Sequence, residues 1–86
     1  MLISFDPEVK ALYIQLKDNK VSRTVEFAPQ TFVDLDSRGD LIGVEMLQPG
    51  TLTITIQVLK KISTQFNAPM LRRIPSDYIP KAFAHA

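Results

Sequence analysis

The chain has 86 residues, of which 45% are hydrophobic and 22% are charged, and its formal net charge is +1. This balance is typical of one small globular domain and excludes a collagen-like, disordered or membrane-spanning chain. The absence of cysteine excludes a disulfide framework and a thiolate zinc site. Because no basic region precedes a long apolar stretch at the N-terminus, we expect a soluble protein of the cytoplasm.

The first half of the chain alternates apolar and polar side chains with a period of two, which predicts short β-strands. LISF is the first candidate strand, and ALYIQL is the second, with Leu12, Ile14 and Leu16 on one face. VSRTVEFA follows the turn KDNK and predicts a third strand. Arg23 interrupts its apolar face, so we expect this residue near the margin of the sheet, where its guanidinium can reach water.

The stretch DLDSRGDLIGVE has Asp, Asp, Gly and Glu at the first, third, sixth and twelfth positions, as a calcium loop does. A calcium loop also needs an oxygen ligand at its fifth position, where this stretch has Arg38. The flanks TFVDLD and LIGVEML alternate like strands rather than helices. The stretch is therefore predicted to be a β-hairpin around SRGD.

The apolar pattern of the two flanks selects a register for this hairpin. Pairing Leu35 with Ile42 and Val33 with Val44 places the apolar side chains, with that of Met46, on one face of the sheet. This register implies a four-residue connection built on a type I turn, in which glycine supplies a positive φ. Tyr13, Phe32 and Leu41 then share the outward face.

The segment LTITIQVLKKISTQFN predicts a helix over residues 54–66, although its first half also alternates like a strand, so residues 51–58 remain open between the two. Thr51 or Thr53 can cap the helix, and Asn67 followed by Pro69 ends it. The apolar stripe of this helix is formed by Ile54, Val58, Leu59, Ile62 and Phe66.

The sequence therefore predicts one α+β domain, residues 1–86, in which an antiparallel sheet of about five strands packs against one C-terminal helix. Residues 1–47 form the sheet region, residues 48–67 the helix region and residues 68–86 a Pro-rich tail. The tail is too apolar to stay solvated, so it is expected to dock on the open face of the sheet or on a second subunit. Its apolar residues include Leu71, Ile74, Tyr78 and Ile79.

The stretches FDPEVKALYI, VSRTVEF and VDLDSRGDLIGVEML resemble the small bacterial and archaeal proteins of domain of unknown function 2283, over about residues 3–47. The matching positions are Phe5, Asp6, Pro7, Glu8, Ala11, Leu12, Tyr13, Ile14, Glu26, Asp34, Asp36, Gly39, Gly43 and Glu45. Lys10 departs from the acidic residue common there, and Val44 replaces the usual isoleucine. The resemblance implies a small sheet-based fold with no established activity.

Three carboxylates, Asp34, Asp36 and Glu45, lie on one side of the predicted hairpin and are the candidates for a metal site or for acid–base chemistry. We favour a solvated turn face, because no nucleophile, histidine or phosphate-binding loop accompanies them. The chain is therefore expected to be no enzyme and to carry no cofactor.

The charge of the chain divides unevenly, with eight acidic and five basic side chains in residues 1–47 and one acidic and five basic side chains in residues 48–86. A basic half can contact nucleic acid or an acidic partner, or it can fold back on its own acidic sheet or dock on a second subunit. Docking is favoured, because five charges without a dense run bind a phosphate backbone weakly. The basic residues are Lys60, Lys61, Arg72, Arg73 and Lys81.

The sequence does not indicate a biological process. The excess of apolar side chains favours a non-enzymatic module for protein interaction or self-association. We expect it to form a homo-oligomer or to bind another protein, and not to bind membranes. The alternative is a small nucleic-acid-binding or regulatory protein that uses the five basic residues, and a metal-dependent hydrolase is third. The candidate interaction residues are Tyr13, Phe32, Leu41, Leu71, Ile74, Tyr78 and Ile79.

Overall fold

The computed structural model describes residues 1–74 of the chain. Five strands form one antiparallel sheet in the order β1-β2-β5-β4-β3, and helix α1 packs on one face of it. This two-layer arrangement confirms the predicted α+β fold. The elements are β1 (Leu2–Asp6), β2 (Ala11–Gln15), β3 (Arg23–Ala28), β4 (Thr31–Leu35), β5 (Leu41–Leu47), α1 (Leu52–Gln65) and a 3-10 helix (Pro69–Arg73).

The core lies between α1 and the three inner strands β2, β5 and β4. Leu12 and Ile14 of β2 are fully buried, and Val33 of β4 and Val44 of β5 lie beside them. The predicted alternation is confirmed in β2 and β4, where buried and half-buried side chains alternate along each strand. Ile62 of α1 is fully buried and belongs to the same core as these strand residues.

Strand β3 lies at one margin of the sheet and pairs with β4. Arg23 stands at its first position and is exposed, as expected for a cation at a sheet margin. Among residues 1–74, no other strand pairs with the second edge of β3.

The β4–β5 hairpin is confirmed, but its predicted connection is wrong in detail. The Asp36 N–H donates to the Asp40 carbonyl at 3.0 Å, so the loop has three residues, and its last, Gly39, has a φ of 85°. The one-residue difference is absorbed at a bulge, where Leu35 lies opposite Leu41 rather than Ile42. Beyond the bulge the sheet regains the predicted pairing.

The bulge also explains why the predicted position of Leu41 is wrong. This residue was expected on the outward face, but it is buried and belongs to the core together with its partner Leu35. A bulge places two consecutive residues opposite one and so changes which side chain reaches the core. Val33 still pairs with Val44, as predicted.

The sequence left residues 51–58 undecided between strand and helix. The structure shows a helix that begins at Leu52. Thr51 is the N-cap, and its hydroxyl accepts a hydrogen bond from the Ile54 N–H at 3.2 Å. Asn67 adopts a φ of 51°, and the Ala68 N–H donates to the Ser63 carbonyl at 2.9 Å. This pattern is a Schellman C-cap, which turns the chain back after the helix.

The buried stripe of α1 is rotated from the predicted one. Ile54 is 52% exposed, whereas Thr55 and Ser63 are buried beside Leu59 and Ile62. The Thr55 hydroxyl donates to the Thr51 carbonyl at 3.0 Å, so its burial leaves no unsatisfied donor.

The segment after α1 docks on its own chain. Leu71 of the 3-10 helix is 3% exposed and belongs to the core cluster, and Ile74 packs against it. The expected docking is therefore seen in cis for these two residues, but the segment lies beside α1 rather than on the open face of the sheet. Tyr78 and Ile79 lie outside the described residues. No helix within residues 1–74 has the length and apolarity to cross a membrane.

Candidate interaction site

The sheet face opposite α1, called here the outer face, carries a hydrogen-bonded group that spans four strands. The Tyr13 hydroxyl on β2 donates to Asp34 Oδ2 on β4 at 2.8 Å. The Thr24 hydroxyl on β3 donates to Asp34 Oδ1 at 2.6 Å. Both oxygens of the Asp34 carboxylate are therefore engaged.

Gly43 on β5 makes this arrangement possible. It lies between Tyr13 and Asp34, directly opposite Asp34 in the register. A Cβ atom at Gly43 would collide with the Tyr13 hydroxyl oxygen and would lie 2.7 Å from its Cζ. The phenol ring crosses β5 because this position has no side chain.

Partial burial is the first cause that raises the pKa of Tyr13 to about 12. Its hydrogen bond to Asp34 and the negative charges of Asp34 and Glu45 act in the same direction. At neutral pH the phenol is therefore protonated and acts as a donor.

The charged side chains at strand positions on the outer face are all carboxylates. Glu45 lies opposite both Tyr13 and Phe32, and Phe32 lies opposite Glu26. Because directly opposite residues share a face, these side chains form one row beside Asp34. The outer face therefore carries the aromatic residues Tyr13 and Phe32 together with the carboxylates Asp34 and Glu45, as predicted, while Leu41 is not part of it.

The three candidate metal ligands are not brought together as a site. Asp36 lies in the hairpin turn, where its Oδ1 accepts the Arg38 N–H at 2.9 Å and the Asp40 N–H at 3.0 Å. These hydrogen bonds, with that from Asp40 the larger cause, lower the pKa of the Asp36 carboxyl. Within residues 1–74, no group of three His, Cys, Asp or Glu residues could hold a metal ion.

The basic residues of the second half lie on the helix layer. Lys60 and Lys61 are exposed on α1, and Arg72 and Arg73 are exposed on the 3-10 helix. Arg72 Nη2 donates to the hydroxyl of Thr64 on α1, which holds its guanidinium against the helix. Lys81 lies outside the described residues. These cations lie on the opposite side of the molecule from the Tyr13 and Phe32 rings of the outer face.

An open groove runs between α1 and the edge strand β3. Its volume is about 480 Å³, and it is called here the β3 groove. The residues that line it are Phe27, Lys60, Lys61, Thr64 and Gln65. The Phe27 ring centroid lies 6.3 Å from that of Phe66, which fixes the apolar end of the groove to the helix.

Val25 extends the apolar surface of the groove along β3. It lies opposite Val33, so both face the helix layer, yet Val25 is 39% exposed and Val33 is fully buried. Val33 lies on an inner strand with neighbours on both sides, whereas Val25 lies on the edge strand β3. Val21, just before the strand, is also exposed.

Sequence reasoning missed Thr24 and the β3 groove. The predicted pairing of Val33 with Val44 already places Asp34 opposite Gly43, but the donor role of Tyr13 and Thr24 depends on strand order across the whole sheet. Arg23 was the available signal for the edge position, because a cation on an otherwise apolar face marks a margin.

A protein family model described as "Protein of unknown function (DUF2283)" matches residues 2–48, a range that contains all five strands. Comparison with curated proteins found no match, and comparison with solved structures found none. Helix α1 and the segment after it lie beyond the matched range. The match confirms the resemblance of the first half, and the chain belongs to this family of unknown function.

Proposed function

We propose that this chain is a non-enzymatic interaction module that binds a polypeptide, either a second copy or another protein, at strand β3. The observation that carries this proposal is the exposure of Val25, 39%, beside its fully buried partner Val33. A residue that faces the helix layer but lacks cover is an apolar surface available to a partner.

The backbone of β3 supports the same surface. Within the described part of the chain, its outer edge has no partner strand, so its N–H and C=O groups are free for an added strand. Proteins commonly use such an edge to bind an extended peptide, with affinity from the backbone and selectivity from alternate side chains.

The outer face supports the non-enzymatic part of the proposal. Both carboxylate oxygens of Asp34 accept hydrogen bonds, and the pKa of the Tyr13 phenol is raised to about 12. A general base near neutral pH needs a free acceptor and a pKa near the working pH. This group instead ties strands β2, β4 and β3 together.

Nucleic-acid binding is the second candidate function. The exposed cations Lys60, Lys61 and Arg72 on the helix layer favour it. A mobility shift on mixed DNA and RNA, repeated at rising salt concentration, checks it, since phosphate contacts weaken steeply with salt. We place either function in the bacterial cytoplasm, where a chain without disulfides is expected to work.

A displayed library of random peptides tests the leading proposal. Peptides selected on the wild-type protein are expected to bind in extended form and to lose at least tenfold in affinity for Val25→Glu. The matched control is Ile54→Glu, which places the same carboxylate on another exposed apolar residue. Failure to select any peptide, or equal binding to Val25→Glu, contradicts the proposal.

A further inference from the structure

We infer that the β3 groove takes an acidic extended polypeptide segment, which adds to β3 as a sixth strand and whose carboxylates face α1. This inference rests on the proposed function, since it names the chemistry of the partner at the same surface. It is carried by three features that meet at one place: a strand edge that is unpaired within residues 1–74, an apolar floor and a cationic wall.

The edge and the floor set the conformation of the partner. Val25 and Phe27 both lie on the helix side of β3, and the register of β3 shifts at a bulge between Glu26 and Ala28. A strand added beside the regular part of β3, which contains Val25, presents every second side chain to the helix side. Phe27 is half-buried against Phe66, and Val25 is open. An extended segment with apolar residues at matching positions covers both.

The wall of the groove sets the charge of the partner. Lys60 and Lys61 line it from α1, and Arg72 is held at Thr64, which also lines it. Between residues 48 and 74 the sequence has no Asp or Glu, so the helix layer carries only positive charge. Carboxylates that enter the groove from an added strand meet cations and no competing acid from the helix.

The same charges oppose a second copy at this edge. Antiparallel pairing of two β3 strands about a two-fold axis keeps both helices on one side of the joined sheet. Lys60 and Lys61 of both copies then line one seam, and the like charges repel each other. A partner with negative charge at this seam avoids that repulsion and is attracted by the lysines instead.

The charge of the outer face also determines on which face of the added strand the acidic residues of the partner lie. Glu26 of β3 and the neighbouring Asp34 project to that face. Side chains of the added strand alternate between the two faces, so an acid on the outer side meets carboxylates and one on the helix side meets lysines. The partner therefore carries its acidic and apolar residues on the same side.

Two fluorescent peptides of identical composition and charge separate this geometry from plain attraction. In the first peptide, valines and glutamates alternate with threonines, so that both types face the groove together. In the second peptide, the glutamates are moved to the opposite face from the valines. By fluorescence anisotropy, the first is expected to bind the full-length protein about tenfold more tightly than the second.

Variants of the protein locate the charges that matter. Lys60→Glu and Lys61→Glu are each expected to weaken binding of the first peptide about fivefold, and the effect shrinks as salt rises. Lys10→Glu is the matched control, since it makes the same charge change in the β1–β2 turn at the far edge of the sheet. Its affinity for the peptide is expected to stay within about twofold of the wild-type value.

The outcomes distinguish the inference from the proposed function. If the first peptide with glutamine in place of glutamate binds equally well, the acidic partner is wrong while the strand-binding module stands. If neither peptide binds, and library selection has also failed, both are wrong. Tighter binding of a single-stranded oligonucleotide that is lost in Lys60→Glu, or a dimer in light scattering that is lost in Val25→Glu, also overturns the inference.

Discussion

At the scale of single residues, the arrangement of the outer face depends on Gly43, which has no side chain. Gly43 leaves room for the Tyr13 ring to cross β5 and reach Asp34. The carboxylate then holds two hydroxyl groups from two other strands, which pins the register across the sheet. Asp34 opposite Gly43 could be predicted from alternation, but the tyrosine partner could not, since it comes from a strand that is not adjacent to β4.

Substitution of Gly43 by alanine is expected to displace the Tyr13 ring and to lower the free energy of unfolding by about 1–3 kcal/mol. The measurement is urea unfolding in a double-mutant cycle with Tyr13→Ala. Because the tyrosine ring is the main obstacle, Gly43→Ala should cost much less in the Tyr13→Ala background. Strictly additive costs would show that the ring does not occupy the space above Gly43.

The raised pKa of Tyr13 predicts a dependence of stability on alkaline pH. The folded protein holds the phenol proton to a pKa of about 12, compared with the ordinary value of 10.0 in the unfolded chain. The resulting stabilisation is complete below pH 10 and is lost as the pH rises through 12. The difference in unfolding free energy between wild type and Tyr13→Phe, about 1 kcal/mol at neutral pH, should therefore shrink across this interval.

Tyrosinate absorbance in a Tyr78→Phe background checks the same pKa directly, because Tyr13 is then the sole tyrosine. The midpoint is expected near 12 and should fall towards 10 when Asp34→Asn removes the negative charge. A midpoint of 10 in both proteins would mean that the hydrogen bond is absent in solution.

At the scale of elements, periodicity located the strands and the helix, and local chemistry altered their details. The hairpin was predictable because two alternating flanks surround a turn-forming loop. Its bulge was not, since the three-residue loop depends on the backbone hydrogen bonds that Asp36 accepts. The bulge in turn carries Leu41 into the core.

The buried stripe of α1 also departed from prediction for a physical reason. Hydrophobicity alone favoured Ile54, but Thr55 can be buried without an unsatisfied donor, because its hydroxyl donates to the Thr51 carbonyl one turn earlier. The helix therefore buries Thr55 and exposes Ile54.

Alanine substitutions test this orientation of the helix. Leu59→Ala is expected to cost about 2–5 kcal/mol of unfolding free energy, because the side chain is buried in the core. Ile54→Ala should change stability by less than about 0.5 kcal/mol, since most of its side chain contacts solvent. Chemical denaturation of both variants gives the comparison, and a larger loss for Ile54→Ala would place the helix in the predicted rather than the observed orientation.

At the scale of the whole molecule, the two layers differ in charge and in extent. The outer face carries carboxylates, the helix layer carries lysines and arginines, and α1 leaves β3 partly uncovered. The charge difference could be read from the two halves of the sequence. The uncovered edge could not, because local periodicity does not specify that β5 lies between β2 and β4 or that β3 lies at the margin.

Amide hydrogen exchange with and without the first peptide most directly tests strand addition at β3. The prediction is that amides of β3 become protected when the peptide binds, while those of β1, the other edge of the sheet, exchange at an unchanged rate. Protection of β1, or binding without any change in β3, would contradict the account.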